Sequence, residues 1–67
     1  MREIGAEVDA LMRATLLQDG TWQQLWRFAN LPDFRDDVEV LMTVLRLAPP
    51  EAAERNAAVV RLEALGL

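Results

Sequence analysis

Four carboxylates, Asp33, Asp36, Asp37 and Glu39, crowd into seven positions of this chain, and they come nearest to residues that could do chemistry. Hard cations take several carboxylate oxygens, so a cation site is the first chemistry to weigh. The spacing does not follow the Asp-x-Asp-x-Asp-Gly loop with a distal Glu that an EF-hand needs. A structural role accounts for the cluster better. Carboxylates gather where a helix begins, because the helix N-terminus carries partial positive charge. No metal site and no cofactor are expected.

Catalysis has few other residues to draw on. The chain contains no Cys, His, Lys, Ser or Tyr, and all seven of its basic residues are Arg. General acid–base work relies mostly on His, and nucleophiles on Ser, Cys or Lys. Thr15, Thr21 and Thr43 fall at helix-face or cap positions, and no carboxylate lies on an apolar face that would raise its pKa. The chain is not expected to be an enzyme. No catalytic residue is assigned.

The aromatic residues form the second constellation. Trp22, Trp26, Phe28 and Phe34 all lie within thirteen consecutive positions. Such a group can line an apolar-ligand pocket or anchor a small core, and core packing is the simpler reading. Phe28 is set apart from the Trp face and points toward a different neighbour. A helix-turn-helix across Leu25–Leu41 fails on charge. Its recognition helix would open Asp33-Phe-Arg-Asp-Asp-Val-Glu, presenting four carboxylates and one Arg to phosphates. With a net charge of −4, the chain is expected to bind neither nucleic acid nor an anionic membrane surface.

The elements that must position these residues read as helices throughout. Phe34, Val38, Leu41, Leu45 and Ala48 recur at spacings of four and three, with Val40, Val44 and Leu47 as a second apolar row. Arg35, Asp36, Glu39, Thr43 and Arg46 are left as a narrow polar strip. This central helix, about 33–48, is expected to be surrounded by others, capped by Asp33 and ended by Pro49-Pro50. Leu41 and Leu45 should be fully buried. A first helix, about 2–18, carries Ile4, Val8, Leu11, Met12 and Thr15 on one face, with an Asp9–Arg13 pair one turn apart. Gly20 ends it in a left-handed C′ conformation. Thr21 and Gln24 then form a capping box that starts a short helix, about 22–30. A last helix, about 50–65, begins with Pro50 in its first turn and ends at Gly66, with Leu67 closing an apolar contact.

The expected fold is all-α, a compact bundle or orthogonal array of four helices in one small domain, 1–67. A chain of 67 residues is marginal by itself, and with 52% apolar residues and no Cys or His it has no disulfide or His-based metal site to help it. A partner chain is therefore expected. The last helix has two apolar stripes on nearly opposite sides. The small one, Ala53, Ala57, Val60 and Ala64, suits packing inside the subunit. The bulky one would leave Val59, Leu62 and Leu65 to meet a neighbour, with Phe28 as a further contact.

These features predict a protein-interaction module, such as an adapter, docking domain or accessory subunit, that self-associates as a dimer. The alternative is an acidic regulator of the antitoxin or inhibitor type that occupies a basic site on a target protein. A third reading is an apolar-ligand carrier with a pocket under Trp22 and Trp26. No apolar run is long enough to span a bilayer, and the opening Met1–Glu7 mixes charges rather than forming a leader. A cytoplasmic setting is expected.

Overall fold

A computed structural model describes residues 2–67, and the side chains of residues 7–67. Four α-helices follow in order: α1 (Arg2–Asp19), α2 (Trp22–Ala29), α3 (Val38–Leu47) and α4 (Ala53–Ala64). A short 3-10 turn, Pro32–Phe34, lies between α2 and α3. The expected all-α arrangement of four helices is what forms. Ile4, expected on the apolar face of α1, lies outside the described side chains.

Local chemistry sets most of the boundaries. Thr21 has extended backbone geometry, and its hydroxyl accepts from the Gln24 amide at 3.2 Å. The Gln24 side chain in turn accepts from the Thr21 amide at 2.9 Å, which completes the capping box. α4 closes on a Schellman motif. Gly66 adopts φ +91°, its amide donates to the Glu63 carbonyl, and the Leu67 amide donates to the Leu62 carbonyl. Leu67 itself remains exposed, so the apolar closure expected of it does not form.

Three boundaries differ from expectation. α3 starts at Val38 and is capped by Asp37, whose carboxylate accepts from the Val40 amide at 3.2 Å. Asp33 instead sits inside the 3-10 turn, which carries Phe34 toward α2. α4 starts at Ala53, because Pro49–Ala52 forms a turn of its own, closed by the Ala52 amide on the Pro49 carbonyl at 3.0 Å. Gly20 is not left-handed. Its role is steric: a Cβ there would lie 2.6 Å from the Leu16 carbonyl oxygen and 2.9 Å from its Cα.

The core is built by α2, α3 and α4. Leu25, Phe28 and Ala29 meet Val40, Leu41, Val44 and Ala48, and Ala58 and Leu62 close the other side. Burying each Leu or Phe contributes about 1.5–3 kcal/mol. Leu41 is fully buried as expected, whereas Leu45 is only half-buried and Val38, Met42 and Leu47 are exposed. α3 thus has neighbours on part of its circumference only. Thr43, assigned to the polar strip, is buried, and its hydroxyl donates to the Glu39 carbonyl at 2.8 Å.

α1 contributes no fully buried side chain among the described residues; Leu16 and Leu17 pack half-buried against the core. The molecule is correspondingly long, 39 × 25 × 15 Å, with a radius of gyration of 12.0 Å. About 11 Å is usual for this length. It exposes 4779 Å², against about 4,300 Å² for a typical folded monomer of this mass. Among the described residues, no helix is long and apolar enough to cross a membrane.

Candidate interaction surface

The orientation of α1 follows from one polar side chain. Arg13 faces the body of the molecule, where its Nε donates to Asp37 Oδ2 at 2.6 Å and its Nη2 to Asp37 Oδ1 at 3.2 Å. Nη2 also donates to Glu39 Oε1 at 2.8 Å. The expected pairing of Arg13 with Asp9 one turn away is replaced by these long-range contacts. Charge-assisted hydrogen bonds to two carboxylates outweigh an exposed pair on one helix, worth a few tenths of a kcal/mol. The Arg13 guanidinium holds the Asp37 carboxyl below its ordinary range, opposed by partial desolvation and helped by the Val40 amide. Asp37 therefore caps α3 and anchors α1 with the same carboxylate.

With Arg13, Leu16 and Leu17 turned inward, helical geometry sends the apolar row of α1 the other way. Leu11 is 69% exposed, Val8 52% and Met12 46%, with Thr15 exposed on the same row. α1 thus packs Leu16 and Leu17 inward and shows the row of Val8, Leu11 and Met12 to solvent. Next to it runs a groove of about 490 Å³ between α1 and α2, lined by Met12, Leu16, Gln24, Arg27, Phe28 and Leu31. Leu31 is exposed at its lip, so the apolar surface continues from the helix into the groove.

Of the residues expected to form an interface, Phe28 lines this groove, whereas Val59 and Leu62 lie in α4 and Leu65 at its C-cap. Leu62 is 5% exposed and Phe28 3%, and both belong to the core. Val59 is half-buried, while Leu65 is exposed at the C-cap of α4. The two stripes of α4 have exchanged roles. Ala53, Ala57, Val60 and Ala64 face solvent, and Ala58 and Leu62 face the core. Burying Leu62 gains more than burying alanines. Arg61 fixes the same orientation: its guanidinium lies 4.7 Å from the Trp26 ring centroid and donates to the Ala29 carbonyl and to Asn30 Oδ1, each at 2.8 Å. Desolvation, followed by the like charge of Arg35, lowers the pKa of Arg61.

The aromatic group divides as its helical positions suggest. Trp22 and Trp26 pack half-buried against the core, and Trp26 carries Arg61 on its face. Phe28 turns to Phe34, with ring centroids 4.3 Å apart and planes tilted by 36°. A second open groove is lined by Leu17, Glu39, Met42, Thr43, Leu45, Arg46 and Arg55. Trp22 and Trp26 line neither groove. Of the acidic cluster, Asp37 and Glu39 are taken up by Arg13, while Asp33 and Asp36 are exposed. Among the described residues, no three carboxylates are placed to hold a metal ion.

The outward row of α1 was visible in the sequence as periodicity, but its direction was not. The missing signal is the partner of Arg13, which lies 24 residues away. A scan against protein-family models and searches of curated proteins and of solved structures each find no match to this chain.

Proposed function

We propose that this chain is a helical protein-interaction module, an adapter, docking domain or accessory subunit, that receives a partner helix on the outward face of α1. One observation carries the reading: α1 turns Arg13 inward and Val8, Leu11 and Met12 outward. An apolar row on an exposed helix, continued by a groove, is the usual design for binding an amphipathic helix. The module works by association rather than catalysis, in a cytoplasmic setting.

The second reading is an acidic regulator that occupies a basic site on its target. Exposed Glu7, Asp19, Asp33 and Asp36, with a net charge of −4, favour it. In that case the carboxylates, not the apolar row, would carry the affinity.

Fluorescence anisotropy with two labelled helical peptides tests the module. One peptide copies residues 1–20 of this chain; the other is a Leu/Ala amphipathic helix with Lys along both flanks. Binding of either, lost in Leu11→Glu at unchanged melting temperature, is the expected result. No binding of either peptide at millimolar concentration would overturn the reading.

A further inference from the structure

We propose that α1 is a releasable strap: it lifts from the core of α2, α3 and α4 as one unit, and the fork of Arg13 on Asp37 and Glu39 is the latch that acid or salt opens. The inference concerns the inward side of α1 and does not depend on what meets its outward row.

The core closes without α1. Among the described residues, every buried apolar side chain, from Leu25 to Leu62, comes from α2, α3, the Ala48 cap or α4. Over the described side chains, the inward side of α1 consists of Asp9, Arg13, Leu16 and Leu17, all half-buried. Two of these are charged, so little apolar surface holds the helix down. A segment with few buried apolar contacts opens at a lower free energy than the core on which it lies. Most helical stability in proteins comes from packing, so the amides of a lifted α1 lose their protection together.

The joint is built to part cleanly. α2 starts on its own capping box, Thr21 with Gln24, and neither of those bonds involves α1. Asp37 keeps its bond from the Val40 amide after Arg13 leaves. Arg13 then has a substitute partner, because Asp9 lies one turn back on the same side of α1. Lifting therefore exchanges the fork for a local pair and leaves no charge buried.

Release has a consequence for the surface beneath. Leu16 lines the groove beside α2 together with Phe28 and Leu31, whereas Leu17 lines the other groove with Met42 and Leu45. These two neighbouring leucines are the partition between the grooves. Removing them joins both into one apolar channel across α2 and α3, which stays divided while the latch holds.

Charge sets the trigger. Arg13 and Glu39 keep 31% and 67% of their side chains exposed, so added salt screens the fork. The other charged groups bordering this region are Asp9 on α1, Arg27 on α2, Arg46 on α3 and Arg55 on α4. None of these four forms an ion pair with Arg13, Asp37 or Glu39. Arg13 holds the Asp37 carboxyl below its ordinary range. Docking is therefore complete above the ordinary aspartate pKa and weakens as pH falls through the docked value, below about pH 4.

Amide hydrogen exchange of the full chain, followed residue by residue by NMR, tests the strap. At pH 7 the amides of residues 11–19 should share one level of protection, at least about a hundredfold below that of residues 42–47 in α3. Arg13→Gln, which keeps helix propensity, should lower protection in α1 about tenfold further and leave α3 unchanged. For the unaltered chain, about 1 M sodium chloride should lower protection in α1 relative to α3. A shift from pH 7 to pH 3, with rates corrected for intrinsic exchange, should do the same. Equal protection in α1 and α3 would overturn the strap, and so would an Arg13→Gln effect spread over all four helices. Low protection in α1 that neither the substitution, nor salt, nor acid alters would overturn the fork as its latch.

Discussion

In α3, Val40, Leu41 and Val44 are wholly removed from solvent, whereas in α1 Val8, Leu11 and Met12, also at helical spacing, face it. The two helices have comparable apolar rows but different surroundings. α3 has α2 packed on one flank and α4 on another, so its row can only lie inside. α1 touches the rest of the molecule lightly and is held by Leu16, Leu17 and the fork of Arg13 on Asp37. An apolar row shows that a helix needs covering. It does not show what covers it.

α4 gives the largest effect with which to test that contrast. Leu62→Glu puts an unpaired charge into the core, and removal of cooperative unfolding at 25 °C is expected, a loss of several kcal/mol. Ala53→Glu, on the exposed stripe, should leave stability within about 0.5 kcal/mol of the parent. Thermal and urea unfolding of both variants measure this. Equal effects would mean that α4 does not distinguish its two sides.

Truncation of equivalent leucines is the next test. Leu41→Ala should destabilise the fold by about 2–5 kcal/mol, through lost burial and the cavity left behind. Leu11→Ala should change it by less than about 0.5 kcal/mol at concentrations where the chain is a monomer. Urea midpoints at low micromolar concentration check the pair. A loss at Leu11 matching that at Leu41 would place α1 in the core and remove the contrast.

The smallest expected effect concerns the fork itself. The Asp37 carboxyl titrates below its ordinary range in the folded chain, so it binds protons less readily there than in the unfolded chain. Its contribution is complete above the ordinary aspartate pKa and is lost as pH falls through the folded value, below about pH 4. Asp37→Asn retains a good capping residue but loses the charge. It should cost about 1–2 kcal/mol at pH 7 and flatten the acid limb of the stability profile. Melting temperatures from pH 7 to pH 2 for the parent and this variant give the comparison. Parallel curves would show that the ion pair contributes nothing to holding α1.

Features decided within a few residues were legible in the sequence. Thr21 with Gln24, the Pro49-Pro50 break and Gly66 each act through neighbours in the chain, so their meaning does not depend on the rest of the fold. The start of α3 was misplaced because Pro32-Asp33 resembles a helix start, while the cap that forms is Asp37, tied to Arg13 from a distant helix. The side of α4 that turns inward depends on Arg61 reaching Trp26 and Asn30, more than thirty residues away in each case. Leu62 and Phe28, expected at an interface, are taken into the core of the single chain for the same reason. Their periodicity was correctly seen, but the neighbours that claim them are remote in sequence.

Gly20 gives the placement of α1 a mechanical side. At 1.5 Å per residue, α1 is a rod about 27 Å long, and its last turn closes where the Gly20 amide donates to the Leu16 carbonyl at 2.8 Å, with no room for a Cβ on Gly20. A side chain on Gly20 would collide with the Leu16 backbone and force this last turn to shift. A tilt of about 10° there would swing the far end of the rod by about 5 Å, a full turn's worth of helix pitch. The aim of the exposed apolar row is thus set at the far end of a lever, by one absent methyl group.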